Sequence, residues 1–219
     1  MDNVIVDLSN IKAAIFDMDG TMINNMAFHK KAWKEYFKRK GIDLTDEDFK
    51  RKISGANNAK IFENMLGRVL TPEEVKEYGH EKETIYREIY APEIKEVEGL
   101  HNILNQLKAK GLKLGIATTA IEPNRDFALD ALGLHGQFDA IVGDEHVTHG
   151  KPDPEIYLLA AKRLDVQPKQ CIVFEDTPPG IQSAKGAGMK VVALLTSHVE
   201  EDLLGADYIV KDFSQVELL

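Results

Sequence analysis

The chain has 219 residues, 43% hydrophobic and 29% charged, with a formal net charge of −9. That length supports a full α/β core with room for a smaller second unit, and the acidic balance excludes nucleic acid as the main partner, because phosphate backbones select basic surfaces. No apolar run approaches the ~20 residues of a membrane span, and no basic segment precedes one near Asp2 and Asp7, so a cytoplasmic protein with neither secretory signal nor membrane contact is expected.

The first element is a short apolar strand, Ile11 to Phe16, that stops in two carboxylates, Asp17 and Asp19, followed by a turn at Gly20. From about residue 24 to 96 the pattern is helix after helix. Ala32, Trp33, Tyr36 and Phe37 recur at helical spacing, with Trp33 as a core anchor. Thr45-Asp46-Glu47-Asp48 predicts a capped helix start, and Thr71-Pro72-Glu73-Glu74 a second with proline at its first position. Gly41, Gly55 and Gly67 punctuate the stretch.

From about residue 97 strands and helices alternate. Helices are predicted over 99–110, 123–132, from Asp153-Pro154-Glu155 to Leu164, and over 178–188. Strands are predicted over 112–118, 138–142, 170–174 and 189–195, with an edge strand over 207–210. This alternation implies a parallel sheet covered on both faces. The expected architecture is α/β: a Rossmann-like core from residues 1–23 and 97–219, with an all-helical cap, 24–96, inserted over the strand ends. The single Cys171, beside Ile172, Val173 and Phe174, reads as a buried structural thiol in a reducing compartment.

Four predicted strands end in residues suited to phosphate and metal. Asp17 and Asp19 end the first, and Thr118 and Thr119 the next. Lys151 follows the strand over 138–142, and Glu175 and Asp176 end the strand over 170–174. Ligands of open α/β sheets bind outside the carboxyl ends of the strands. Carboxylates from two strands make a hard, oxygen-rich site suited to Mg²⁺, expected on Asp17, Asp19, Glu175 and Asp176. Asp17 is the candidate nucleophile, forming an aspartyl-phosphate. Asp19 is the candidate acid and base, Thr118 a hydrogen-bond donor to the phosphoryl group, and Lys151 the neutralising cation. His80, His101, His135 and His198 read as surface or loop residues. So do His146 and His149, which have no cysteine or third histidine nearby. Asp144 is left open between a place behind the metal and a turn.

These segments resemble the haloacid dehalogenase superfamily of phosphotransferases. FDMDGT matches its first motif, IATT its second, GKPDP its third and FEDTPPGI its fourth, in order over essentially the whole chain. The helical insertion resembles the four-helix cap of the β-phosphoglucomutase-like subfamily, and Phe28-His29-Lys30-Lys31-Ala32-Trp33 resembles its YHxxAW segment. The resemblance implies that His29 helps couple the cap to Asp19. An acid two residues after the nucleophile implies a phosphatase or phosphomutase. A receiver domain of a signalling pathway also gathers aspartates, Thr and Lys around Mg²⁺, but it needs no helical insertion.

The cap departs from the mutase pattern. Ser54 stands before Gly55 where that pattern has lysine, and Asn58 stands where it has arginine to grip a distal phosphate. Lys60 or Lys82 are the possible compensating cations. In the second motif Ala120 replaces a common serine, and Glu122 adds negative charge. Ser54, Gly55, Asn57, Asn58, Lys82, His29 and Thr119 are the expected substrate contacts. The expectation is a monomeric phosphatase acting on a small phosphorylated metabolite such as a sugar phosphate. The alternatives are β-phosphoglucomutase, interconverting β-glucose 1-phosphate and glucose 6-phosphate, and inorganic pyrophosphatase.

Overall fold

A computed structural model describes residues 3–219 of the chain; Asp2, read above as part of the N-terminus, lies outside them. In chain order the first elements are strands β1 (Val4–Val6) and β2 (Ala13–Phe16), then helices α1 (Met26–Arg39), α2 (Asp46–Asp48), α3 (Asn58–Leu66) and α4 (Pro72–Tyr90). They are followed by α5 (Leu100–Ala109), β3 (Lys113–Ala117), α6 (Glu122–Leu132), β4 (Ala140–Val142) and α7 (Glu155–Arg163). The chain ends with β5 (Cys171–Glu175), α8 (Pro178–Gly186), β6 (Lys190–Leu194), β7 (Tyr208–Val210) and β8 (Val216–Leu218). It divides into two compact units: the described residues up to Asn24 with Ile94–Leu219, and Asn25–Glu93.

The larger unit is built on a six-stranded, wholly parallel sheet in the order β4-β3-β2-β5-β6-β7. β2 lies inside it, Ala13 pairing with Lys113 on one side and Cys171 on the other. Both β2 and β5 are buried throughout, as parallel strands covered on both faces must be. Side chains alternate across the pleat. Ala13, Ile15 and Val173 pack with Ile156, Tyr157 and Ala160 of α7 and with Ile181 and Ala184 of α8. Phe16, one position on, stacks on Phe174 at 4.7 Å between ring centroids, and Phe213 joins them. Each fully buried large side chain contributes about 1.5–3 kcal/mol. Cys171 is buried here, and burial pushes its thiol up to about 11.

A separate parallel pair, β1 with β8, sets Val4 against Val216. Neither strand is expected from the sequence: each is three residues long, and its only partner is at the other end of the chain.

In the helical unit α1 and α4 pack together. Trp33 sits in the core, stacked on Phe37 and edge-on to Phe62, both at 5.6 Å. Thr45 caps α2, its Oγ1 accepting from Asp48 N at 3.0 Å. That helix lasts three residues before widening into a π-helical turn, Phe49–Ile53, closed by the Ser54 N–H on the Phe49 carbonyl at 3.0 Å. Thr71 and Glu74 form a reciprocal capping box at 3.2 and 2.9 Å, with Pro72 at the first helical position. No helix among the described residues is long and apolar enough to cross a membrane.

Candidate active site

The apolar run of β2 ends in a tight turn. The Met18 carbonyl accepts the N–H groups of Thr21, Met22 and Ile23 at 3.2, 2.8 and 3.2 Å. Gly20 takes φ 85°, and a Cβ there would collide with the Asp176 carboxylate. Glycine is required on both counts. The turn follows Asp17, which is buried, and includes Asp19, which is half-buried. The Asp17 N–H donates to the Phe174 carbonyl at 3.0 Å and fixes the end of β2 beside β5.

Lys151 joins these strand ends. Its Nζ donates to Asp17 Oδ1 at 2.6 Å, Glu175 Oε1 at 2.7 Å and the Ala117 carbonyl at 3.2 Å, using all three ammonium protons. Burial works against its charge, but Asp17 and Glu175 outweigh burial and hold the ammonium well above its ordinary range. Glu175 in turn accepts five hydrogen bonds. Its Oε1 takes Lys151 and the Tyr157 hydroxyl at 3.0 Å. Its Oε2 takes the Asp176 and Thr177 N–H groups at 2.8 and 3.0 Å and the Thr177 hydroxyl at 3.1 Å. Burial opposes ionisation, yet Lys151 and these donors hold Glu175 below the usual carboxylate range. The first turn of α8 packs directly on it, so a Cβ at Gly180 would collide with the carboxylate.

Asp176 is fully buried. Thr21 Oγ1 donates to its Oδ1 at 2.9 Å, and Ser197 Oγ donates to its Oδ2. Burial, then the charge of Glu175, pushes Asp176 up to about 7 against those two hydroxyls. Asp17 is also raised, chiefly by burial and further by Glu175 and Asp176, with Lys151 opposing. Thr118 is buried and accepts the Ala120 N–H on Oγ1 at 3.1 Å, which leaves its hydroxyl proton to donate outward; Thr119 is exposed.

Among the described residues no three His, Cys, Asp or Glu side chains converge as a complete metal cage. Mg²⁺ does not need one: it takes one or two carboxylates and keeps water or phosphate for the rest. The donor set here is all oxygen. Asp17, Glu175 and Asp176 face the single ammonium of Lys151, so the fully ionised cluster has an excess negative charge that a divalent cation offsets. Burial is the main cause that raises Asp17 and Asp176, and the neighbouring carboxylate charges add to it. The site fits Mg²⁺ on these grounds. Glu175 differs from the sequence expectation: its lone pairs are committed to protein donors, which suits it to holding Lys151 rather than to binding metal.

The candidate contacts of the helical unit fall into two groups. Lys82 is buried in α4, its Nζ 2.8 Å from His29 Nδ1 and 2.8 Å from Glu83 Oε1, over the rings of Trp33 and Tyr86. His29 stacks on Tyr86 at 4.0 Å. Ser54, Gly55, Asn57 and Asn58 are all exposed around the start of α3, where Asn57 Oδ1 caps the helix on Lys60 N at 2.9 Å. Three cations near this stretch are paired within the unit. Arg51 and Lys52 both meet Asp48, at 3.2 and 2.8 Å, and Lys60 meets Glu63 at 3.1 Å.

Sequence reasoning missed Thr21, Tyr157 and Ser197. Thr21 lies within the first motif, and Ser197 follows β6, a strand end like the other four. Tyr157 carries no local signal, being one apolar-face residue of α7. His198, expected as a surface or loop residue, lies in the loop after β6 and is half-buried, its Nδ1 3.0 Å from the Asp176 carbonyl.

The profile of the haloacid dehalogenase-like hydrolases matches residues 14–194. The chain is 36% identical over 212 residues to validoxylamine A 7'-phosphate phosphatase of Streptomyces hygroscopicus subsp. limoneus, covering 94% of this chain and 95% of that one. It is 32% identical over 215 residues to β-phosphoglucomutase of Bacillus subtilis (strain 168), covering 95% and 92%. Among solved structures, a HAD hydrolase, family IA, variant 3, from Entamoeba histolytica HM-1:IMSS superposes with a TM-score of 0.88 at 32% identity, covering 94% and 96%. The chain belongs to the haloacid dehalogenase-like hydrolase family, as an enzyme of its phosphatase and phosphomutase type.

Proposed function

We propose that the chain is a Mg²⁺-dependent phosphatase of small phosphate monoesters, sugar phosphates among them, working through an aspartyl-phosphate on Asp17. The observation that carries this reading is the buried Asp17–Lys151 pair at the end of β2, flanked by Thr118 and Asp176. A carboxylate oxygen of Asp17 attacks phosphorus, and the bond from phosphorus to the ester oxygen breaks. Asp19 gives its proton to that leaving oxygen. Asp19, now a carboxylate, takes a proton from water, whose oxygen attacks phosphorus and releases phosphate from Asp17. Lys151 and the Thr118 hydroxyl stabilise charge on the phosphoryl oxygens. Asp17, Asp19 and Asp176 would hold Mg²⁺, which would supply further charge stabilisation there. Glu175 keeps Lys151 in place.

The choice of water over a sugar hydroxyl as acceptor rests on the helical unit. A bisphosphate intermediate needs a cation for its second phosphate, and Ser54 and Asn58 supply none. The neighbouring Arg51, Lys52, Lys60 and Lys82 are paired with Asp48, Glu63 and Glu83. A missing charged hydrogen bond costs about 1.5–3 kcal/mol. The similarity to validoxylamine A 7'-phosphate phosphatase across nearly the whole chain supports the same choice. The protein is proposed to act as a cytoplasmic monomer.

Phosphorus NMR of the protein with Mg²⁺ and β-glucose 1-phosphate, seeded with glucose 1,6-bisphosphate, tests the reading. Free phosphate is expected. Glucose 6-phosphate without free phosphate identifies a mutase, and cleavage of pyrophosphate in preference to esters identifies a pyrophosphatase. EDTA is expected to abolish turnover and excess Mg²⁺ to restore it; turnover that persists in chelator rejects the metal site. Asp19→Ala is expected to lower kcat on unactivated sugar phosphates by about 10²–10⁴-fold. It should lower kcat much less on p-nitrophenyl phosphate, whose leaving group needs no proton. Equal loss on both substrates removes Asp19 as the acid.

A further inference from the structure

Two loops of the candidate site are tied together by an ion pair that the four motifs do not include. Arg125 lies in the first turn of α6 with its side chain only 6% exposed. Its Nη1 donates to the Ala120 carbonyl at 2.7 Å and to Glu145 Oε2 at 3.0 Å, and its Nη2 donates to Glu145 Oε1. This is a two-point fork, the strongest and most directional arrangement open to an arginine and a carboxylate. It holds Glu145 below the usual carboxylate range. The pair lies against the backbone of Gly143, where a Cβ would collide with both the guanidinium and the carboxylate.

Each end of the fork leads to a proposed catalytic group. Ala120 is the residue whose N–H holds Thr118 Oγ1. The guanidinium therefore grips the carbonyl of the residue that aims the Thr118 hydroxyl. Glu145 belongs to a 3-10 turn, Asp144–His146, pinned at its start by the Gly143 N–H on His146 Nδ1 at 2.9 Å. The chain then runs to Lys151, anchored on the way by Glu155, which accepts the N–H groups of Thr148 and His149 at 3.1 and 2.9 Å. An apolar side chain in place of Arg125 would fill the space, but it would hold neither the Ala120 carbonyl nor the Glu145 loop.

We propose that Arg125 and Glu145 form a clamp that sets the Thr118 hydroxyl and the path to Lys151, and are positioning residues for phosphoryl transfer. The inference rests on the reading of the site as a phosphoryl-transfer centre.

The test compares wild type, Arg125→Ala, Arg125→Met and Glu145→Gln on p-nitrophenyl phosphate with Mg²⁺. Hydrogen exchange is followed over residues 118–120 and 147–151. Arg125→Ala and Arg125→Met are expected to lower kcat by about 10²-fold, the cost of a small misplacement, with KM little changed. Glu145→Gln should lose less, since its amide oxygen still accepts one hydrogen bond. Millimolar guanidinium is expected to restore part of the kcat of Arg125→Ala and none of that of Arg125→Met. Exchange should quicken in both stretches. A lower thermal midpoint with unchanged kcat makes the pair purely structural and overturns the proposal. If Arg125→Ala does not fold, Arg125→Met and Glu145→Gln decide alone. An inactive wild type would overturn the phosphatase reading instead, and the clamp would then stand or fall on the exchange result.

Discussion

Asp17→Asn is expected to lower kcat by at least about 10⁴-fold while the protein stays folded. The amide has the shape of the carboxylate, and with its oxygen turned to Lys151 it keeps the acceptor at 2.6 Å. It lacks the charge and the nucleophilic oxygen that would bond to phosphorus. The substitution also removes a buried carboxylate whose charge burial disfavours, and Lys151 keeps Glu175 as its partner. The metal-free variant should therefore melt no lower than wild type. Acid quenching after mixing with a ³²P-labelled ester should leave label on the wild-type chain and none on the variant. Undiminished turnover would remove Asp17 as nucleophile.

Lys151→Met should have the largest effect on stability as well as eliminating most activity. It leaves Asp17 and Glu175 buried with no ammonium between them, and breaking a buried pair by removing one partner costs about 3–5 kcal/mol. For a chain of this size that lowers the thermal midpoint by roughly 6–20 °C. The sign of its pH dependence follows. Without Lys151 the folded-state values of both carboxylates rise, so the folded variant binds protons more readily than the unfolded chain. The deficit should be full at pH 8 and shrink as pH falls toward the ordinary Glu value of 4.5. A deficit that grows on acidification would contradict this account.

The strand ends were legible in the sequence because their signals are local: an apolar run, then a carboxylate, a threonine or a glycine turn. β2, β3, β5 and β6 all appear at their expected places for that reason. Trp33 was legible through helical spacing, and Thr71 through its capping box. What escaped depends on partners far along the chain. Nothing near Val4 announces Val216, and nothing near Ser197 announces Asp176. Tyr157 looks like any other apolar position of α7 until Glu175 is beside it. Thr45 shows the opposite limit, since its cap forms as expected but the helix it starts turns π-helical after three residues. A cap fixes where a helix begins and says little about how far it runs.

The position of β2 inside the sheet also bears on how the chain folds. Residue 13 must find residue 113 and residue 171 before the central strand has either neighbour, and closing loops of that length is slow. The helices between Asn25 and Glu93 pack within one continuous stretch of chain, α1 against α4. In pulse-labelled refolding they should acquire protection first, with β2 and β5 following together in a later, slower phase. During that interval Asp17 and Asp176 would be open to water, so Mg²⁺ should slow unfolding far more than it speeds refolding.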